Sequence, residues 1–196
     1  MNSEESDEEL VRRSKLGDGG AFETLVKRYQ EGVFYIARSM LDSTEEAEDV
    51  AAEAFARAWR AVRSFRGDSG VKTWLWRITI NLARTALRRR YLKRKVFFWK
   101  NVRDEEEETN PSENWPDRSG GSDPEKVLDS RDTAGLIREA KASLSARELE
   151  VFCLKFEKDL KISEIAGLLS IAPNTVKVLI FRATRKMAKA LKDKIK

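Results

Sequence analysis

The sequence predicts an all-α protein: two small helical domains, residues 1–99 and 124–196, joined by an acidic flexible linker over 100–123. Three observations predict it. Apolar residues recur at three- and four-residue steps on both sides of the chain's middle, with weak strand signals. The stretch Asn101–Asp123 (NVRDEEEETNPSENWPDRSGGSD) holds four consecutive Glu, two Pro, a Gly pair and almost no aliphatic residue, so it buries no core. A length of 196 residues suits one domain or two small ones. Self-repulsion should extend the linker at roughly 3.3 Å per residue and let the two domains move independently.

The first domain reads as helices near 6–17, 19–41, 43–65 and 71–95. In the third, Ala47, Val50, Ala51, Ala54, Ala58, Ala61, Val62 and Phe65 form an apolar stripe opposite Glu46, Asp49, Glu53, Arg57 and Arg60. The breaker Arg66-Gly67-Asp68-Ser69-Gly70 precedes the fourth, whose inner stripe is Leu75, Ile78, Thr79, Leu82 and Ala86. The second domain opens at Asp123-Pro124, with Pro at a first helical position. Ser145 and Glu148 have capping-box spacing before the apolar run Leu149–Phe156, in which Cys153 reads as a small core residue. A short helix over Ile162–Leu169, the connection Ser170-Ile171-Ala172 and a long helix from Pro173 to about Leu191 complete the chain.

Charge is segregated along the chain. The net value of +5 comes from 38 Lys+Arg against 33 Asp+Glu. Residues 1–56 carry 14 acidic and 6 basic groups; 57–100 carry 1 and 14; 101–132 carry 11 and 4; 133–196 carry 7 and 14. Two basic blocks separated by an acidic one suggest two surfaces for a polyanion. There is no His and only one Cys, which excludes histidine catalysis, a disulfide framework and a zinc finger. No run of about 18 apolar residues occurs and the acidic start is unlike a signal peptide. The expectation is a soluble, cytoplasmic protein with no membrane insertion, no metal, no cofactor and no catalytic site.

The last two helices and their three-residue connection have the parts of a helix-turn-helix. In the long one Val176, Ile180, Ala183, Met187 and Ala190 share an inward face. Asn174, Lys177, Val178, Phe181, Arg182 and Arg185 share the opposite face and are available to a major groove, where amides and cations meet base edges and phosphates. In the fourth helix Trp74, Arg77, Asn81, Arg84 and Arg88 fall on one stripe and run into Arg89, Arg90, Lys93, Arg94 and Lys95. Aromatic and basic side chains together suit single-stranded nucleic acid, with bases stacked on rings and cations along the backbone. The carboxylates Glu46, Asp49 and Glu53 have three readings: a solvated face, a contact with a basic protein, or a Mg²⁺ site.

In this order the pieces resemble the bacterial extracytoplasmic-function (ECF) sigma factors, promoter-specificity subunits of RNA polymerase. The resemblance rests on Glu46, Asp49, Glu53, Phe55, Arg57 and Trp59; on Phe65-Arg66-Gly67-Asp68-Ser69, Thr73-Trp74-Leu75-Trp76-Arg77, Asn81 and Leu87-Arg88-Arg89-Arg90; and on Leu144–Glu148, Ile165-Ala166, Pro173–Lys177 and Arg182-Ala183. It covers about 18–95 and 124–191. It implies that Glu46, Asp49, Glu53, Arg57 and Arg60 bind core RNA polymerase. It implies that the loop with Phe65, Arg66, Asp68, Ser69 and Lys72 takes a base flipped from the non-template strand of the minus-ten element, flanked by Trp74, Arg77, Asn81, Arg84 and Arg88. Asn174, Thr175, Lys177, Val178, Phe181, Arg182 and Arg185 would meet the minus-thirty-five duplex, and the linker would thread the polymerase cleft. An anti-sigma factor is a further implied partner.

The chain departs from the family pattern twice. Ala52 stands where Gln is usual, and Val178-Leu179 follow Lys177 where Ser-Arg is usual, which leaves the usual minus-thirty-five sequence uncarried and the packing of Leu179 open. Two rivals remain at this point. A helix-turn-helix regulator that is no polymerase subunit explains 124–191 alone, and a Mg²⁺-dependent nucleic-acid enzyme would use Glu46, Asp49 and Glu53.

Overall fold

The computed structural model describes residues 5–41, 43–102 and 130–195. Four helices form the N-terminal domain: α1 (Asp7–Lys15), α2 (Gly19–Met40), α3 (Thr44–Ala61) and α4 (Val71–Val102). Their starts follow local chemistry. Ser6, Asp18 and Ser43 each sit in extended backbone and accept a hydrogen bond from an N–H in the first turn, those of Glu9 (3.3 Å), Ala21 (3.1 Å) and Glu46 (3.2 Å). α3 ends in a tight 3-10 turn, Val62–Ser64, so the predicted span of 43–65 is helical but not α throughout. α4 runs seven residues past its predicted end at 95, because no Gly or Pro interrupts the chain there.

Helix α3 presents Ala47, Val50, Ala54 and Ala58 to the core, and Ala51, Ala61 and Phe65 lie at its margin. The small residues let α3 approach α2 and α4 closely, and Leu25, Val33, Ile36, Leu75 and Ile80 fill the space. α4 is buried over a wider arc than its predicted stripe, since Trp76, Ile80 and Ala83 are buried beside Leu75, Thr79 and Leu82. The Trp76 indole lies on Gly32, where a Cβ would come 3.4 Å from Nε1. That Nε1 is buried and makes no hydrogen bond among the described residues, while Lys72 Nζ sits 4.6 Å from the ring centroid. Trp76→Ala should therefore cost about 3–5 kcal/mol. Trp76→Phe should cost far less, because it also removes an unpaired buried donor. Urea denaturation of the two variants checks the order.

The C-terminal domain contains α5 (Ser130–Lys141), α6 (Ala146–Phe152) continued by a π-helical turn over Cys153–Glu157, α7 (Ile162–Leu169) and α8 (Pro173–Ile195). The predicted start at Asp123-Pro124 and linker residues 103–123 lie outside the described residues. The capping box forms: Glu148 N–H donates to Ser145 Oγ at 3.4 Å, and Ser145 N–H donates to the Glu148 carboxylate at 2.8 Å. The same carboxylate accepts from Lys186 Nζ at 2.8 Å, tying α6 to α8. Burial alone would raise the Glu148 carboxyl, but the bonds from Lys186 and Ser145 outweigh it and hold the group below its ordinary value. A carboxyl depressed in the folded state contributes stability above its unfolded pKa and loses that contribution as pH falls through the folded value. Stability should thus fall on the acid side, below about pH 4.3. Glu148→Gln should flatten this loss, as thermal melts across an acid pH series would show.

Between α7 and α8 the chain turns at Ser170, whose φ of 54° and ψ of 47° place it in the left-handed region. The two helices meet at 105°, the geometry of a helix-turn-helix. Val176, Ala183 and Met187 face inward as predicted, with Ile180 and Ala190 half-buried.

The two domains are not separate bodies as the linker's charge suggested. They pack on one another through α4 against α6 and α7, and through α2 against the π-helical turn. Ser39 O accepts from Lys141 Nζ at 3.2 Å and from Cys153 Sγ at 3.0 Å, and Lys158 Nζ lies 4.3 Å from the Tyr35 ring centroid. Linker composition governs the tether. It does not register the polar groups that α4 offers to the other domain.

Candidate functional site

Residues 65–70 form the loop between α3 and α4, with Gly67 at φ 79° making the turn that an L side chain resists. Phe65 folds back onto Trp74 of the first turn of α4, ring centroids 4.5 Å apart and planes inclined by 23°. This is a stacked pair at the edge of the basic block. Arg66 and Asp68 are exposed and pair with each other at 3.2 Å. Ser69 is half-buried and Lys72 is exposed on the opening turn of α4. The loop thus presents an aromatic platform and polar groups side by side, the equipment to hold an unstacked base.

Trp74, Arg77, Asn81, Arg84 and Arg88 do lie along α4, but the structure divides them. Asn81 and Arg88 are exposed. Arg77 donates to Gly167 O at 2.6 Å and to Leu168 O at 3.2 Å, carbonyls in the last turn of α7. Arg84 pairs with Glu150 of α6 and donates to Asn81 Oδ1 at 3.2 Å. The Glu150 carboxylate raises the Arg84 guanidinium further above its ordinary value. Arg77 and Arg84 are therefore turned onto the C-terminal domain. The side chains of Lys93, Arg94 and Lys95 lie outside the described residues.

On α8, Asn174, Thr175, Lys177, Val178, Phe181, Arg182 and Arg185 are all exposed, Phe181 to 65% and Val178 to 48%. Leu179 is partly buried against the core. The exposed face therefore joins cations, an amide and two apolar side chains, which suits phosphates and a thymine methyl together.

The outer face of α3 borders a groove of about 540 Å³ shared with α4 and lined by Glu46, Asp49, Val50, Glu53, Arg57, Leu82, Thr85, Ala86, Arg89 and Arg90. Glu53 pairs with Arg57 at 2.7 Å and with Arg60 at 3.1 Å. The Arg57 hydrogen bond leads in holding its carboxyl below the ordinary value. Glu46 meets Arg90 at 3.8 Å, and Asp49 is exposed. Glu46, Asp49, Glu53 and Arg57 thus share one mixed-charge rim around an apolar floor, and Arg60 joins it only through Glu53. Among the described residues, no group of three or more His, Cys, Asp or Glu is placed to hold a metal ion.

Glu150 is the buried interdomain residue that the sequence alone does not single out. It is fully buried and serves both Arg84 and Arg147, the latter at 3.4 Å. Its signal is a lone carboxylate inside the otherwise apolar run Leu149-Glu150-Val151-Phe152-Cys153-Leu154, since a buried charge needs a partner.

A four-helix domain with a stacked aromatic pair and a basic stripe, followed by a helix-turn-helix domain with an exposed basic helix, defines a class of two-domain all-helical proteins with exposed basic surfaces. Comparison with known families narrows the class. Residues 25–92 match Sigma-70 region 2 and residues 134–187 match Sigma-70, region 4. The chain is 31% identical over 183 residues to the ECF RNA polymerase sigma factor SigW of Bacillus subtilis, covering 93% of this chain and 95% of that one. It is 45% identical over 87 residues to the RNA polymerase sigma-H factor of Pseudomonas aeruginosa, covering 44% of this chain and 45%, about half, of that relative. Among solved structures the fold resembles CnrH in its complex with the cytosolic domain of CnrY. The TM-score is 0.65 at 21% identity, over 96% of this chain and 99% of that one. The chain belongs to the ECF RNA polymerase sigma factors, whose role is promoter recognition.

Proposed function

We propose that this chain binds core RNA polymerase through the α3 rim, captures a flipped minus-ten base at the Phe65–Trp74 pair and reads minus-thirty-five duplex with α8. The stacked pair beside the basic block carries the reading. Unstacking a base costs a few kcal/mol, and an aromatic platform next to cations offsets that cost only for a strand already exposed. Residues 1–99 take the polymerase and minus-ten roles, 124–196 the minus-thirty-five role, and 100–123 the tether between them. Phosphate contacts from both basic blocks supply salt-sensitive affinity, and a few side chains supply sequence choice. The protein acts in the cytoplasm, contributes no catalytic group and needs no cofactor, the chemistry being the polymerase's own. A regulatory protein of the anti-sigma kind is a further partner.

Reconstitution with bacterial core polymerase and a promoter library tests this reading. It predicts RNA from defined start sites that depends on the added chain. Failure to bind core, or RNA without preferred starts, would contradict it and favour a stand-alone helix-turn-helix regulator.

A further inference from the structure

Along α8, Asn174, Val178, Phe181 and Arg185 recur at steps of four, three and four residues, so they share one narrow stripe, and all four are exposed. The middle of that stripe is apolar: Val178 is exposed to 48% and Phe181 to 65%. Neither side chain is needed to seat the helix. Its inward face is Val176, Ala183 and Met187, and Leu179 and Ile180 pack on the core beside them. Val178 and Phe181 are neighbours about 5–6 Å apart at Cβ, so together they cover about two base pairs at about 3.4 Å per step.

What such a surface meets follows from its surroundings. From Pro173 to Lys192 the helix carries no Asp or Glu, and Lys177 and Arg182 flank the stripe on either side. That charge suits a polyanion, so the apolar pair must meet the apolar part of a duplex. In the major groove the one alkyl group on the base edges is the C5-methyl of thymine. Val178 lies in the opening turns of α8, where a recognition helix comes nearest the bases. It has no donor or acceptor. Set over the edge of guanine, cytosine or adenine it would take water from polar groups and return no hydrogen bond. Set over thymine it buries a methyl, worth about a fourfold change in an equilibrium constant.

We propose that Val178, with Phe181 beside it, reads a thymine methyl, so that this chain prefers thymine at the minus-thirty-five position facing Val178. The inference rests on the assignment of α8 to the minus-thirty-five duplex. The Ser-Arg pair usual in the family at 178–179 would offer a hydroxyl and a guanidinium, which suit polar base edges. Here the first of the two positions is apolar and exposed, and the second is turned into the core. Val178 is thus the residue that sets this chain's base choice apart from that pattern.

The test uses the full-length chain assembled with core polymerase and duplexes randomised over the minus-thirty-five element. Selection with the wild-type chain should enrich thymine at one position, and Val178→Ser should lose that preference while keeping those at other positions. Deoxyuridine in place of the selected thymine removes the methyl alone, and should weaken wild-type binding about fourfold. Val178→Ser should bind the two duplexes equally, and Val178→Ile should still tell them apart. Circular dichroism confirms that each variant retains its helices. Deoxyuridine bound as tightly as thymine by the wild-type chain, or a thymine preference unaltered in Val178→Ser, would overturn the methyl reading. So would Val178→Ser binding every duplex more weakly by one factor, the mark of a protein docked on this face. If a defined minus-thirty-five sequence is selected without any methyl effect, the functional assignment stands and only this inference fails. If the wild-type chain selects no minus-thirty-five sequence, the assignment of α8 fails and the inference falls with it.

Discussion

Asp49→Arg is expected to weaken binding of core RNA polymerase by roughly a hundredfold, because a like-charge juxtaposition at a docking surface costs several kcal/mol. Asp49 is exposed at the rim of the groove between α3 and α4, with Glu53 and Arg57 on the same face. Its substitution opens no cavity and strands no buried partner, so folding stability should stay within about 0.5 kcal/mol of wild type. The separation of effects is the informative part. Titrating core polymerase into labelled chain should show the loss, while thermal melts overlay. Intact core binding would remove the α3 rim from the polymerase interface.

The second large effect belongs to the aromatic platform. Trp74→Ala should slow promoter opening by roughly 10- to 100-fold, the worth of about 1–3 kcal/mol for one stacked base. Core binding should be nearly unchanged. Trp74 is half-buried against Phe65, so the alanine variant also loses some stability and belongs at temperatures well below its melting point. Trp74→Phe retains a ring and should recover much of the rate. Equal loss of opening and of core binding would mean that Trp74 supports the domain and does not hold a base.

Much of the architecture was legible in the residues because the periodicity is strong and one capping box is explicit. Ser145 marks the start of α6, and Ala47, Ala54 and Ala58 mark the face on which α3 lies, whereas the caps Ser6, Asp18 and Ser43 emerge only from the structure. The departure at Val178-Leu179 does not by itself fix how the helix packs; in the structure Leu179 packs on the core and Val178 stays exposed. The relation between the domains was not legible. Arg84 and Glu150 are 66 positions apart, and nothing local in either helix names the other as partner. Arg77 is still harder to foresee, since its partners are backbone carbonyls, present at every helix C-terminus. A stripe of arginines shows where a polyanion could bind. It does not show which of them an internal carboxylate already occupies.

The ends of elements follow the same lesson. α3 closes in a 3-10 turn because the chain must reverse quickly towards the loop at Gly67, a constraint from the packing of α4. The π-helical turn after α6 likewise sets Cys153 against Ser39 of the other domain, a demand that residues 145–157 alone do not reveal.

The central claim is that this chain opens promoter DNA through the loop and first turns of α4. Permanganate reactivity of unpaired thymines in the minus-ten element, measured with reconstituted polymerase, tests it most directly. The account predicts reactive non-template thymines with the wild-type chain, sharply reduced in Trp74→Ala while that variant still co-purifies with core. Thymines equally reactive in wild type and Trp74→Ala, or unreactive with the wild-type chain on a promoter it transcribes, would contradict it.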